Sequence, residues 1–474
     1  VRTAGVVLLL AVALLPPPAE AAVHPSPPTL DPTRPAQKRI LVLCVDGVSY
    51  SLVEEMHRRG ELPHFYPPAK LVVTFPSLTD PSLVEILVPL GAPPSEGYED
   101  YYFDTDQNRT RGGFFHRFSR ARYIEGTFRE LFHYHPHPVV MTLEYGLPVV
   151  GSWLAGHINL GRILHEFQGS PASLYLAYLD STDSLAHLSG VRFQRGLLKR
   201  IGRSVARLRR RAPGPVEVFL FSDHGNGVQK YRRAPIVPAL RRAGFRLKKT
   251  LAGPRDVVLI RYGLLGSALL YTQPGVEAEL AEALRSVEGV GVVAYRDAAA
   301  TMVLNASGRA RLQRRPNDHY CYHRESGDPL ALEPALVELD SQGRLSLDGC
   351  AADRDWWRAT RQHLYPDALR RLWFAFEKHV VHPASVIISF QDGYYEGSRV
   401  LDALAALRAT HGNLGSAQSL AFAMSTEGPL PPILRGEEVW SWLEPQVGPP
   451  PAPRLWQRIL LPLAAVSLPA AVAE

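Results

Sequence analysis

Cysteine is scarce in this chain of 474 residues. There are three, and an odd count excludes a fold stapled throughout by disulfides. Cys44 lies inside an apolar run and reads as buried packing. Cys321 and Cys350 flank a polar, loop-like stretch; they are able to pair in an oxidising compartment, and the sequence leaves that open. Charge of one sign is also in short supply. A formal net charge of +6 helps attract anionic substrates but is too small to mark a nucleic-acid binder. No internal repeat and no coiled-coil heptad runs through the chain, which excludes solenoid and coiled-coil architectures.

Long apolar stretches stand at the two ends. Residues 1–21 resemble a secretory signal: Arg2 is a minimal positive start, residues 5–15 are apolar, and Ala19-Glu20-Ala21 is a cleavage site. The apolar run is too short to span a bilayer comfortably, and no cysteine follows it to carry a lipid anchor. The expectation is export, to the periplasm or beyond, with a Pro-rich tether over 22–37. Residues 448–474 form a Pro-rich linker and an apolar tail, interrupted by Pro462 and Pro469. Membrane association through this tail, packing on the domain and an unstructured end all remain open.

Between the ends the composition is that of a large globular protein. Residues 38–244 alternate short apolar runs with helix-like segments, the sign of a parallel α/β sheet. Residues 190–211 read as a surface helix, with Leu197, Leu198, Ile201, Val205 and Leu208 on one face and Arg200, Arg203, Arg207 and Arg210 on another. Residues 245–385 change texture, with short strands, turns at Ser307-Gly308 and Ser341-Gln342-Gly343, and a Trp356-Trp357 helix. They read as a cap inserted between core segments. The core is expected to resume over 386–447, beginning with the strand Val386–Phe390.

Several polar residues stand where apolar runs stop. Asp46 ends one run and precedes Gly47; Asp223-His224 ends another and precedes Gly225. In an open parallel sheet ligands bind beyond the carboxyl ends of the strands, so residues far apart in sequence converge there. Asp183 and His187 are four apart and share one side of a helical turn. Asp180 is a rival ligand. Thr79 stands near the start of a predicted helix, where a hydroxyl meets free N–H groups and a positive dipole, although Thr79 or Asp80 also serves as an ordinary N-cap. His411 precedes Gly412 in a late segment. Three Asp, three His and one Thr suit two zinc-like ions and a nucleophile, and the combination carries the reading rather than any member. His133, His135 and His137 alternate, but the prolines among them indicate an edge or loop, so they read as structural. His157 and His165 are placed outside the ligand set. Tyr98, Tyr101, Tyr102 and Phe103 follow the nucleophile helix and either pack the core or line a substrate channel.

Together these motifs resemble the alkaline phosphatase superfamily, and within it the type I phosphodiesterase and nucleotide pyrophosphatase-like branch. Val45-Asp46-Gly47 looks like the first metal-binding strand, and Phe75-Pro76-Ser77-Leu78-Thr79-Asp80-Pro81 like the nucleophile segment. Gly91-Ala92-Pro93-Pro94-Ser95-Glu96-Gly97-Tyr98 resembles the loop after the nucleophile helix. Thr182-Asp183-Ser184-Leu185-Ala186-His187 resembles an Asp-x-x-Gly-His motif, with Ala186 in place of Gly. Ser222-Asp223-His224-Gly225 is the most specific piece, and Thr410-His411-Gly412 matches the late histidine.

The resemblance implies an α/β fold: an alkaline-phosphatase-like three-layer α/β/α sandwich with a mostly parallel sheet and an inserted cap. It implies one zinc on Asp183, His187 and His411, and another on Asp46, Asp223 and His224. Thr79 would be both metal ligand and catalytic nucleophile. The implied activity is a secreted two-zinc phosphodiesterase acting on a phosphate-ester substrate through a phospho-Thr79 intermediate. A phosphomonoesterase, a phosphonate hydrolase, a membrane-tethered transferase and a non-catalytic surface-binding protein stay as alternatives. Ser82 stands where many relatives carry Asn to hold a phosphoryl oxygen, so it is the candidate substrate-binding residue and the main departure. Asn226 replaces the familiar Met after Asp-His-Gly. No Cys-x-Pro-x-Arg segment occurs, which argues against a sulfatase built on oxidised cysteine.

Overall fold

Apolar runs buried on both faces build the middle of a central sheet, and shorter strands carrying Lys70 and Arg435 extend it at one side. In the computed structural model, which describes residues 38–447 except 120–122, 148 and 405, the strands are β1 (Arg39–Val45), β2 (Ala69–Val72), β3 (Leu174–Leu179), β4 (Val216–Phe221), β5 (Leu420–Ser425) and β6 (Ile433–Arg435). Their spatial order is β6-β2-β5-β4-β1-β3. Five run parallel, and β5 alone opposes both its neighbours. The signal segment and tether (1–37) and the C-terminal linker and tail (448–474) lie outside the described residues. Among the described residues, no helix is long and apolar enough to cross a membrane.

Alternation along β1 builds three layers. Leu41, Leu43 and Val45 pack with α1 (Tyr50–Arg58), α3 (Val150–Gly169) and α5 (Val191–Arg211) on one face. Ile40, Val42 and Cys44 pack with α2 (Thr79–Leu87) and α6 (Glu438–Val447) on the other. On α5 the expected apolar face is buried, and Arg200, Arg203, Arg207 and Arg210 are exposed. The mostly parallel α/β/α sandwich is therefore the observed architecture.

A second sheet of nine strands uses residues 246–390. It is antiparallel except where Arg246–Leu247 meets Asp256–Leu259. One expectation needs correction here. Val386–Phe390 does not resume the central sheet; it lies inside the second one, between Ser267–Thr272 and Val290–Asp297. A run buried on both faces fits the middle of either sheet, so its composition does not say which. The chain re-enters the central sheet only at β5. In the second sheet Cys321 and Cys350 face each other on paired strands and form a disulfide, while Cys44 is buried and free.

Candidate metal and phosphoryl-transfer site

Four parallel strands deliver the site to one rim. Asp46 follows β1, Asp180 follows β3 and starts α4 (Ser181–Ser189), and Asp223-His224 follows β4. Thr79 is the first residue of α2. His411 arrives differently. Ala409–Thr410 pairs antiparallel with Gly227–Val228, so a two-residue ladder sets it beside the end of β4. Its main chain is also tied to the second sheet, since Gly266 N donates to His411 O at 2.6 Å.

Two groups of three candidate ligands result: Asp183, His187 and His411, and Asp46, Asp223 and His224, the donor atoms of each lying within 4.8 Å of one another. Asp183 Oδ2 is 3.0 Å from His187 Nε2 and 3.8 Å from His411 Nε2. His224 Nε2 is 3.2 Å from Asp46 Oδ1 and 3.7 Å from Asp223 Oδ2. The groups adjoin, because the His224 and His411 rings stack with centroids 3.7 Å apart. Thr79 Oγ1 lies 3.3 Å from His224 Nε2.

Hydrogen bonds around the ligands fix their aim. His224 Nδ1 donates to Gly225 O at 2.9 Å and His411 Nδ1 to Ser77 O at 3.1 Å, which leaves each Nε2 facing the cluster. Tyr178 donates its hydroxyl proton to Asp46 Oδ2. Asn226 Nδ2 donates to Gly47 O at 2.6 Å and to Asp183 Oδ1 at 2.9 Å, tying the turn after Asp46 to Asp183. Gly47 has φ +62°, and a Cβ there would fall 2.2 Å from Asp183 Oδ1, so this turn requires glycine.

The electrostatics suit cations. Burial, then Asp223 and Asp183, push the Asp46 carboxyl well above its usual range. Burial alone would lower the His224 imidazole, but Asp223 and Asp46 overcome it and raise it to about 10. Burial likewise opposes ionisation of Asp183, yet His187 and His411 hold it below the ordinary carboxylate range. Asp46 Oδ1 and Asp223 Oδ2 are buried with no hydrogen-bond partner. Two such oxygens facing an imidazole nitrogen fit a divalent ion, which would take the place of the proton that His224 otherwise holds.

The structure brings together Asp46, Thr79, Asp183, His187, Asp223, His224 and His411. It does not bring Ser82 with them. Ser82 is fully buried, and its hydroxyl lies 3.1 Å from Thr74 Oγ1. Thr79, Asp80 and Leu83 carry the cavity-lining arc of α2; at 100° per residue Ser82 points about 110° from its middle. Asp180 joins neither ligand group. Tyr98, Tyr101, Tyr102 and Phe103 do not line the cavity; Tyr98 and Phe103 are core, Tyr101 stacks on Tyr262, and Tyr102 stacks on His382. His133 stacks on Tyr175 and His137 caps a helix through Val139 N, whereas His135 reaches the cavity wall.

Sequence reasoning missed the wall of this cavity of about 520 Å³. Arg129 ties Asp80 at 2.6 Å to Asp100 at 3.0 Å, and Arg117 Nε meets Asp100 at 2.6 Å. Phe114, Tyr123, Phe128, Phe132, Met141 and Leu265 add apolar surface. No local motif marks these residues.

No protein-family model and no curated protein matches the chain. Solved structures do. Human ectonucleotide pyrophosphatase/phosphodiesterase 5 aligns over 88% of this chain and 96% of its own, at 11% identity and a TM-score of 0.47. The murine counterpart aligns over 88% and 98%, at 12% identity and 0.46. Phosphonoacetate hydrolase from Sinorhizobium meliloti 1021, solved with phosphonoformate, aligns over 86% and 95%, at 14% identity and a TM-score of 0.46.

Proposed function

We propose that this chain is a metal-dependent phosphoryl-transfer hydrolase of the alkaline phosphatase superfamily, and specifically a two-zinc phosphodiesterase working through Thr79. One observation carries the reading: two adjoining groups of three ligands, with the Thr79 hydroxyl 3.3 Å from a nitrogen of one of them. Asp183, His187 and His411 would hold one ion; Asp46, Asp223, His224 and Thr79 would hold the other. Imidazole and carboxylate together favour zinc over magnesium or calcium. When bound, the ions would neutralise the non-bridging phosphoryl oxygens and lower the pKa of the Thr79 hydroxyl.

The chain's own residues do the rest. Thr79 Oγ1 attacks phosphorus and expels one alcohol, and water then releases the remaining ester from Thr79. Two in-line displacements retain configuration at phosphorus. At the start of α2 the N–H groups of Thr79 and Asp80 would offer donors to a phosphoryl oxygen, since Pro81 has none and Ser82 N donates to Leu78 O. The cavity beside Thr79 leaves room for a second ester arm, which supports a diester over a monoester. The Cys321–Cys350 bond supports an oxidising compartment, hence secretion or the periplasm.

The test is zinc content together with hydrolysis of bis-p-nitrophenyl phosphate and p-nitrophenyl phosphate, for wild type and Thr79→Ala. We expect about two zincs per chain, as two ligand groups require, and diester turnover lost in Thr79→Ala. A monoester preference would move the substrate class. Absence of both metal and turnover would sink the reading.

A further inference from the structure

The cavity has a second polar centre beside the ligand groups. Helix α4 turns two rows toward it: Asp183 with His187, and Asp180 with Ser184 and Leu188. Glu144, on the helix Pro138–Gly146, lies against the second row. Its Oε1 accepts from Ser181 Oγ and its Oε2 from Ser184 Oγ, each at 2.6 Å. Asp180 Oδ1 lies 3.2 Å from the same Ser181 hydroxyl. One hydroxyl carries one proton, so it cannot satisfy both carboxylates. Asp180 is only 8% exposed, lines the cavity, and has no hydrogen-bond partner at Oδ2. A buried carboxylate oxygen without a donor is unfavourable until something brings one.

The surroundings narrow what brings it. The arginines on this wall already have partners: Arg117 with Asp100, Arg129 with Asp80 and Asp100, and Arg261 with Glu396; the Arg117 charge also favours ionised Asp180 through space, but no donor reaches Asp180 Oδ2. Five carboxylates line the cavity outside the ligand groups, at Asp80, Glu99, Asp100, Glu144 and Asp180, against three arginines; burial pushes all but Asp100 above the usual carboxylate range, a cost that an incoming cation would offset. Among the described residues no third carboxylate, imidazole or thiolate closes on Glu144 and Asp180, which serves a divalent ion poorly. Phe132 and Met141 line the same cavity with apolar surface. A donor that is positively charged, small at its head and apolar along its stem meets all of these conditions.

We infer that Glu144 and Asp180 form a subsite for a protonated primary amine on the substrate, so that the preferred phosphodiester carries an aminoalkyl arm. This rests on the phosphoryl-transfer reading above. The ammonium donates to Asp180 Oδ2 and Glu144, and the carbon stem packs on the apolar wall.

Binding tests it without turnover. Zinc-loaded Thr79→Ala protein is titrated calorimetrically with 2-aminoethyl phosphate and with propyl phosphate, which match in size and differ in charge. The amine should bind roughly tenfold tighter or more, the size of one charge-assisted hydrogen bond. Adding Glu144→Gln should bring the ratio to near one. Asp180→Asn provides the same comparison if the first substitution impairs folding, which thermal melting reports. Equal affinities, or binding of neither ligand, overturn the subsite. So does a further zinc equivalent that Glu144→Gln removes, since it would assign the pair to metal. A protein that hydrolyses diesters without discriminating the amine faults the subsite alone. One that discriminates the amine but hydrolyses no diester faults the earlier reading.

Discussion

Tyr178 orients a ligand that it never replaces. Its hydroxyl holds Asp46 Oδ2, which leaves Oδ1 turned to His224. Tyr178→Phe keeps the ring and removes only that donor. If the proposed two-zinc site holds, affinity for one ion should fall about 10- to 100-fold with no change in secondary structure. Competition with a chromogenic chelator measures it; unchanged affinity at both ions would show that Asp46 is oriented by other means. The seven positions that the structure gathers were legible in combination: Asp46 and Asp223-His224 end apolar runs, Thr79 begins a helix, Asp183 and His187 share a helix face, and His411 precedes a glycine. Tyr178 was not. It lies inside β3, and it reaches Asp46 only because parallel pairing sets Cys44 beside it. Asn226 was visible as a departure, but its bridge from Gly47 to Asp183 exists only once β1, β4 and α4 are assembled.

At the level of elements, the layers were legible and the sheet membership was not. Alternation on β1 and the apolar face of α5 follow from periodicity alone. Val386–Phe390 fits two sheets equally, and Ser82 was misplaced because a motif position says nothing about which way a helix faces. The residue that locks these elements together was equally invisible. Arg371, on the helix Ala368–Phe374, is buried and donates to Thr74 O at 3.1 Å and to Leu414 O and Pro366 O at 3.0 Å. It thus joins the exit of β2, before Thr79, to the loop after His411. Burial draws its guanidinium down to about 10, so its charge persists at neutral pH. Arg371→Met fills much of the volume but abandons three carbonyls. The expected cost is roughly 3–5 kcal/mol of unfolding free energy in urea, the size found when one partner of a buried charged network is removed. Turnover should fall too, because Thr79 and His411 lose their common anchor. A variant as stable and as active as wild type would contradict that role.

At the scale of the whole molecule, the joint between the two sheets holds a group that should make folding sensitive to acid. Ser95 N donates to His379 O at 2.9 Å, so the loop after α2 is sewn to the segment following the helix Ala368–Phe374. The His379 ring is 2% exposed, and neither of its nitrogens has a hydrogen-bond partner. Burial is the main cause that lowers its pKa to about 4; Lys378 and Arg370 add to the effect and Glu85 opposes it. In the unfolded chain the imidazole titrates near 6.5. Between those values the unfolded state binds the extra proton, so stability falls as pH drops from about 6.5 to about 4. The full window amounts to about 3 kcal/mol. His379→Phe keeps an aromatic ring beside Phe374 and removes the titration. Urea unfolding of both proteins from pH 7 to pH 4 separates this effect from that of all other groups, which are the same in both. The difference between the two stability profiles should shrink toward alkaline pH and grow toward pH 4 in favour of the variant. Parallel profiles would mean that the joint admits water or a partner to the ring, and acid would then act on the molecule through its ligand groups.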